Sequence, residues 1–308
     1  VYLSFRLSDF KLSSLPQKRI TKVILLIILI FGLLQFVHPS ILSLIGYGAS
    51  AINPNPTVDS TNLVRVQSLL RGPNPYGAFL LVPFSIILFK FKDSESKWLA
   101  ASLLMLISLN LILTWSRSAW LGAVLICILF IITSLRLSKK MILCGVAAAL
   151  ALLIALSLAL KMDSFKTVFL HDKPGEGGQV TSDQDRLASY KNALSLVKNK
   201  PLGLGLNGAG PASIRSSSGA NIVENYFLQI FLQLGWLGGA AFIAISALSL
   251  IKLTRIESSL TMALAAVGMA LSLVGLMQPV WVDVSVVFLW WSLLAIALEE
   301  FSPKAKML

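Results

Sequence analysis

Three arginines are the residues whose type and position best fit a chemical role in this sequence. Arg71 precedes a Gly-Pro-Asn-Pro segment, Arg117 lies between two serines in a short connector, and Arg186 opens a stretch with helical spacing. A guanidinium group keeps its charge and binds phosphate oxygens through paired hydrogen bonds. Three such groups at one surface could hold a phosphate or pyrophosphate. Each alone is equally typical of a side chain anchored at the lipid headgroups.

Acidic residues occur at two further positions of interest. Glu224 and Asn225 directly precede an apolar run, where a carboxylate could take a proton from a hydroxyl group or simply cap the start of a helix. Asp183 and Asp185 flank one glutamine, a pattern that fits acids in the first turn of a helix or a divalent-metal site. The two histidines, His38 and His171, are far apart in sequence and form no metal-ligand cluster there.

The glycine-rich segment 201–211 contains the spacing Gly-x-Gly-x-x-Gly at Gly203, Gly205 and Gly208. A dinucleotide-binding fingerprint requires a preceding strand, and here a helix is predicted before it, so we exclude that function. Two interpretations remain. The segment is a tight loop between helices, or a backbone that closely approaches a ligand or a neighbouring helix.

The composition indicates the elements that must position these residues. Of the 308 residues, 56% are apolar and only 13% are charged, which excludes a disordered chain and a nucleic-acid-binding globule. Spanning helices need about 20 mostly apolar residues. Eight apolar runs are candidates, and the second is short and contains Pro83: 23–37, 76–89, 98–114, 119–135, 141–160, 226–251, 259–277 and 284–298. Cys127 and Cys144 fall within these runs, as packing residues do.

The net charge of +12 is explained mainly by topology. If the N-terminus is cytoplasmic, most of the 26 basic residues fall in segments on the cytoplasmic side of the membrane. This agrees with the rule that basic residues collect in cytoplasmic loops. We therefore expect an all-α membrane protein, a bundle of about eight transmembrane helices with both termini cytoplasmic. Its parts are a cytoplasmic segment 1–22, a transmembrane domain 23–298 and a cytoplasmic tail 299–308.

The segment 161–225 is predicted as one large extracytoplasmic loop. Within it, Ser182 fits a helix N-cap, apolar residues recur at helical spacing from Leu187 to Val197, and Pro201 ends the pattern. This predicts an amphipathic helix that lies on the outer surface of the bundle.

Taken together, these segments resemble the O-antigen ligase / O-antigen polymerase family of polytopic membrane glycosyltransferases. The resemblance rests on Arg71-Gly-Pro-Asn-Pro, on Ser116-Arg117-Ser118, and on the Arg186-led helix followed by Pro201-Leu-Gly-Leu-Gly. Its most specific part is the family's His-Asn/Ser/Gln, nine residues, then Gly-x-x-Gly. Here Glu224-Asn225 is followed after nine residues by Gly235-Trp-Leu-Gly238, so a glutamate replaces the histidine. The resemblance extends over roughly residues 60–298.

The resemblance implies transfer of a saccharide from an undecaprenyl-pyrophosphate carrier to a hydroxyl of a lipid-linked or surface glycan. It places this activity at the outer face of the bacterial cytoplasmic membrane, without a metal ion or other cofactor. Glu224 and Arg117 are then the expected catalytic residues, and Arg71, Arg186 and Asn225 the expected substrate-binding residues. Family members usually have more spans, and the chain starts at Val1, so we expect spans upstream.

Two other classes of function stay open at this point. A transporter of lipid-linked saccharides would need polar residues along its spans, and these spans contain few, chiefly Asn110, Gln229 and Gln233. A non-catalytic membrane paralogue is compatible with the replacement of the family's histidine by Glu224.

Overall fold

The computed structural model describes residues 18–44, 64–134, 182–211, 213 and 223–301. The secondary-structure elements in these ranges are helices. The described α-helices are α1 Lys18–Val37, α2 Ile41–Leu44, α3 Pro73–Phe89, α4 Lys97–Leu113, α5 Arg117–Ser134, α6 Ser182–Asn199, α7 Tyr226–Thr254, α8 Ser259–Gly275 and α9 Val284–Glu300. A short 3₁₀ turn, Val280–Val282, connects α8 to α9.

Seven of the eight predicted apolar runs lie in helices, as expected for an all-α membrane protein. The remaining run, 141–160, lies outside the described residues. So do residues 1–17 of the predicted cytoplasmic segment 1–22 and residues 302–308 of the predicted tail 299–308. Helices α5 and α7 are long and apolar enough to cross a membrane, whereas α1, α3, α4 and α8 are shorter apolar helices. Most side chains of α5 and α7 are not buried by other parts of the protein. Lipid must cover them, so the protein is an integral membrane protein.

Helix α8 is the centre of the bundle and packs against α3, α5, α7 and α9. Small residues allow these close contacts. A Cβ atom at Gly268 would lie 2.7 Å from the Trp290 ring, and one at Gly122 would lie 2.7 Å from Leu81. This use of glycine is typical of helix packing in membranes, where close backbone approach replaces the hydrophobic drive.

The contacts give the bundle two distinct ends. Gly77 of α3 lies against Ala119 of α5, and Gly275 of α8 lies near Phe227 of α7. We call this the upper end, where α3, α5, α7 and α9 begin. At the opposite, lower end the Ser259 hydroxyl donates to Asp93 at 2.7 Å. The lower end carries the basic residues that the charge pattern assigns to the cytoplasm: Lys90, Lys92, Lys97, Lys252 and Arg255.

Helix α7 bends sharply at Gly235, which has φ 70° and ψ −172°. Residues 16 apart in a continuous helix are about 24 Å apart along its axis, yet the rings of Tyr226 and Phe242 are 5.3 Å apart. The predicted single run 226–251 is therefore two helical parts, residues 226–234 and 236–254. The first part leans over the upper end of the bundle.

Candidate functional site

Arg65 forms hydrogen bonds to both of the segments that carry Arg71 and Arg117. Its Nη2 atom donates to Asn74 Oδ1 at 2.9 Å, at the start of α3, and its Nε atom donates to the Thr114 carbonyl at 3.2 Å. Arg71 lies three residues before Asn74, and Arg117 lies three residues after Thr114. The structure therefore places Arg65, Arg71 and Arg117 at the upper end.

The sequence Arg71-Gly-Pro-Asn-Pro starts α3 in a defined way. Pro73 is the first helical residue, a position where its missing N–H costs nothing, and Asn74 is left to accept from Arg65. One turn later the buried Tyr76 hydroxyl donates to Asn110 Oδ1 of α4 at 2.9 Å. The start of α3 is thereby fixed to the end of α4.

The segment before Arg71 is buried against α1. Gln35 Oε1 accepts from the backbone N–H groups of Gln67 and Ser68 at 2.9 and 3.0 Å, and the Ser68 hydroxyl donates to the Ile28 carbonyl at 2.6 Å. Irregular backbone at membrane depth is tolerated only where protein groups satisfy it, and these bonds do so. Arg71 follows this fixed segment and is itself exposed.

The connector around Arg117 is a tight turn with its serines inward. Trp115 has φ 50°, and the Ser116 N–H donates to Thr114 Oγ1 at 3.2 Å. Ser116 and Ser118 are buried with their hydroxyl oxygens 3.3 Å apart, whereas Arg117 is exposed at the start of α5. The alternation of small buried residues around it directs the guanidinium group outward.

Asp283 is a carboxylate at the upper end that faces this positive charge. It lies between the 3₁₀ turn and α9, at the N-cap position, but its side chain makes no capping hydrogen bond. Burial raises the pKa of Asp283 to about 6, and the positive charge of Arg71 opposes that rise. Arg71 and Asp283 therefore interact electrostatically, and the upper end carries both signs of charge.

Glu224 and Asn225 stand directly before α7. Asn225 is the N-cap of this helix, since its Oδ1 accepts from the Leu228 N–H at 3.0 Å. The capping role that the sequence left open for Glu224 is thus taken by Asn225, and the half-exposed Glu224 lies one residue further out. The ring of Tyr226 contacts Phe242, which contacts Trp281, two residues before Asp283. This series of contacts connects Glu224 to the same end of the bundle as the arginines.

Arg186 belongs to α6, the helix Ser182–Asn199. Its apolar face packs on protein: Ala193 and Val197 form a small core with Ala209, Val223 and Leu232. The Tyr190 hydroxyl donates to the Leu276 carbonyl at 3.0 Å, at the upper end of α8. Arg186 lies one turn before Tyr190, although its side chain lies outside the described residues.

The glycine-rich loop approaches a neighbouring helix rather than a strand, as one of the two interpretations predicted. The Trp236 N–H donates to the Pro201 carbonyl at 2.9 Å, and the Leu204 N–H donates to the Leu232 carbonyl at 2.6 Å. A Cβ atom at Gly203 would lie 2.5 Å from the Gly235 nitrogen. A Cβ atom at Gly235 would in turn lie 2.5 Å from the Pro201 carbonyl oxygen, so glycines from both motifs line this backbone contact.

Sequence reasoning missed two residues of this site, Arg65 and Asp283. Arg65 lies in the segment between the apolar runs 23–37 and 76–89, which falls outside if the N-terminus is cytoplasmic. The charge rule disfavours arginine there, and this signal could have identified it. Asp283 is the only acidic residue between α8 and α9, and this isolated position could have identified it. Both were overlooked because neither lies in a recognisable motif.

The assembled site could bind an anion and accept a proton. Arginines lie at an end where four helices begin, and helix N-termini carry partial positive charge. Asp283 interacts with Arg71, and Glu224 precedes α7 at the same end. In the ranges that the structure describes, no group of three or more His, Cys, Asp or Glu side chains is placed to hold a metal ion.

Comparison with known families gives one result. A family model described as O-antigen ligase matches residues 77–243, more than half of the chain, from α3 to the second part of α7. A search of curated proteins finds no match.

Proposed function

Because the chain belongs to the O-antigen ligase family, we propose that it is a membrane glycosyltransferase that uses a lipid-linked saccharide donor. The donor is a saccharide on undecaprenyl pyrophosphate, and the acceptor is a hydroxyl group of a lipid-linked or surface glycan. The reaction takes place at the outer face of the bacterial cytoplasmic membrane, which in this proposal is the upper end of the bundle. The observation that carries the proposal is the grouping of Arg71 and Arg117 with the segment of Glu224 at that end.

The arginines stabilise the leaving group. As the bond between the anomeric carbon and the pyrophosphate oxygen breaks, negative charge develops on the lipid pyrophosphate. Arg117 and Arg71 bind these oxygens more strongly in the transition state than in the ground state, which lowers the barrier. Arg186 contributes a third guanidinium group from α6. Because these groups neutralise the developing charge, the reaction needs no metal ion.

Glu224 acts on the other substrate. Its carboxylate accepts the proton of the acceptor hydroxyl while the hydroxyl oxygen forms the new bond to the anomeric carbon. Asn225 uses Oδ1 to cap α7, which leaves its Nδ2 group to donate a hydrogen bond to a substrate oxygen. Glutamate thus takes the place that the resemblance assigns to a histidine.

Complementation of a host that lacks its own O-antigen ligase or polymerase tests this proposal. Surface glycan is separated on a gel: a ladder of long chains identifies a polymerase, and attachment of units to a lipid anchor identifies a ligase. No restored glycan from protein that is inserted at normal levels would contradict the proposal and favour a transporter or a non-catalytic paralogue.

Two variants assign the chemistry within that experiment. Arg117→Lys keeps the charge but loses the paired donors, so we expect a drop in transfer of at least about tenfold, the size of a lost charge-assisted bond. Glu224→Gln keeps the shape but cannot accept the proton, and we expect loss of turnover with unchanged insertion. An active Glu224→Gln variant would show that Glu224 is not the base.

A further inference from the structure

An unusual apolar surface surrounds the bend of α7. On the loop that follows α6, Leu202 is 90% exposed and Leu206 is 69% exposed. Beside them on α7, Leu237 is 85% exposed and Trp236 is 53% exposed. The hydrogen bond between the Trp236 N–H and the Pro201 carbonyl holds the loop and the helix together. Gln233 Nε2 donates to the Leu206 carbonyl at 3.1 Å, so Leu206 also lies beside α7 and the four exposed side chains share this edge.

The length of α7 indicates how deep this edge lies in the membrane. Residues 236–254 rise about 28 Å, close to the roughly 30 Å thickness of the hydrocarbon core. Lys252 lies in the last turn of this helix, at the lower end of the bundle. Trp236 then falls at the opposite boundary, where tryptophan is typical. Since Pro201 is bonded to Trp236, the loop with Leu202 lies at the same level.

The segment next to this edge, α6 and the loop that follows it, carries positive charge and could bind an anionic surface. Exposed Leu194 and Lys198 lie on one flank of α6, while exposed Asn192 and Asn199 lie on the other. Exposed Lys200 follows directly, before the loop. The sequence from residue 187 to residue 223 contains no Asp or Glu, whereas Lys191, Lys198, Lys200 and Arg215 are basic. Basic residues beside exposed leucines are the pattern of interfacial elements that bind anionic lipids.

We propose that the edge formed by Leu202, Leu206, Trp236 and Leu237 inserts into the upper lipid leaflet. Lys198 and Lys200 bind the phosphate groups of anionic phospholipids beside it. The leucines of the loop thus enter the acyl region next to the lipid-facing surface of α7. This inference does not depend on transfer activity, and its test does not use substrate.

A spin label at Leu202→Cys tests the insertion. Cys127 and Cys144 are first replaced by alanine, and the protein is placed in nanodiscs that contain phosphatidylglycerol. Collision of the label with oxygen, which concentrates in lipid, is compared with collision with a water-soluble nickel complex. Leu237→Cys is the lipid-facing reference, and Asn192→Cys on the opposite flank of α6 is the matched control.

We expect the ratio of oxygen to nickel collisions at Leu202 to match that at Leu237 and to exceed that at Asn192 several-fold. A ratio equal to that at Asn192 would place the loop in water and overturn the proposal. Protection from both probes would also overturn it, since protein would then cover the edge.

The lipid specificity is tested in the same Leu202→Cys protein. With Lys198→Gln and Lys200→Gln, the ratio in phosphatidylglycerol discs should fall to the value that the lysine-containing protein shows in phosphatidylcholine alone. Lys90→Gln with Lys92→Gln, at the lower end, is the control and should leave it unchanged. A ratio that responds neither to lipid charge nor to the two lysines would contradict recognition of anionic lipid.

Discussion

The bundle core and the layer formed by α6, the loop 201–211 and residues 226–234 are held together differently. We call the second region the α6 layer. In the bundle, α3, α5, α8 and α9 pack through apolar side chains, and glycine serves to bring helices close. In the α6 layer the apolar core is small. There, backbone groups of the loop bond directly to the backbone of α7 on either side of Gly235, at Leu232 and Trp236.

The difference shows which kind of change each region tolerates. A packed core accommodates apolar substitutions that preserve volume, because its contacts are made by side chains that can shift. A junction between two backbones has no such freedom, since a carbonyl or an N–H cannot move without breaking its own bonds. The α6 layer should therefore be specified by a few glycines, and the bundle by many residues that each contribute little.

Gly203→Ala should have the largest effect. At Gly203, φ is 81° and a Cβ would meet the Gly235 nitrogen, whereas Gly205 has φ 83° but no atom within 4 Å. Both alanines incur the strain of a left-handed conformation, about 1–3 kcal/mol, but only Gly203→Ala also separates the loop from α7. Thermal unfolding in nanodiscs, together with proteolysis of the loop, measures this. Equal destabilisation by Gly203→Ala and Gly205→Ala would refute the backbone junction.

The pH dependence of stability should identify Asp283, which lies at the start of α9. Its folded pKa, about 6, exceeds its ordinary value of 3.8, so the folded state binds this proton more tightly than the unfolded state. The free energy of unfolding should therefore decrease as pH rises from about 4 to 6, by up to roughly 3 kcal/mol from this group. Asp283→Asn should remove that part of the melting profile. Arg71→Gln should shift it to higher pH, because the charge that lowers the pKa is gone. Profiles that coincide for Asp283→Asn and the unmodified protein would contradict this.

Glycines of the bundle should show a graded response. A Cβ at Gly77 would meet Ala119 Cβ at 2.7 Å, an atom fixed to its helix, whereas one at Gly122 would meet the movable tip of Leu81. We expect Gly77→Ala to cost about 2 kcal/mol of unfolding free energy and Gly122→Ala about 1 kcal/mol. Thermal melting of the two variants compares them. The reverse order would mean that the bundle does not relax through its side chains.

Asn225→Ala should have an effect on stability about as small as that of Gly122→Ala. It removes the cap of α7, which is worth about 1 kcal/mol, and Asn225→Ser should restore most of that stability. Melting measures the cap, and transfer activity measures the amide separately. If the serine variant is as stable as the original protein but transfers poorly, Nδ2 contacts the substrate. If it also transfers normally, Asn225 is a cap alone.

The sequence predicted the features that depend on neighbouring residues and missed those that depend on residues far apart in the chain. The apolar helices were predictable because each depends on a local run of apolar residues, and α6 was predictable from its periodicity and from Pro201. The bend at Gly235 was not, because the residues on both sides of it are equally apolar. Its cause lies some thirty residues earlier, in the loop that bonds to it.

Parts of the candidate site were similarly hidden. Arg71, Arg117 and Glu224 were identified by their motifs and by their position at predicted helix starts. The link through Arg65 and the interaction of Arg71 with Asp283 required the packing of α3, α4 and α9, which pattern alone does not provide. The assignment of the helix cap to Asn225 rather than Glu224 depended on a register difference of one residue.

The bend in α7 also limits how far the start of this helix extends above the membrane. As a straight rod, its 29 residues would rise about 43 Å, which is more than the hydrocarbon core requires. Glu224 would then lie about 15 Å further along the helix axis than the thickness of that core requires. The bend turns this surplus length sideways across the bundle. One glycine thus determines how far above the leaflet surface the carboxylate can lie.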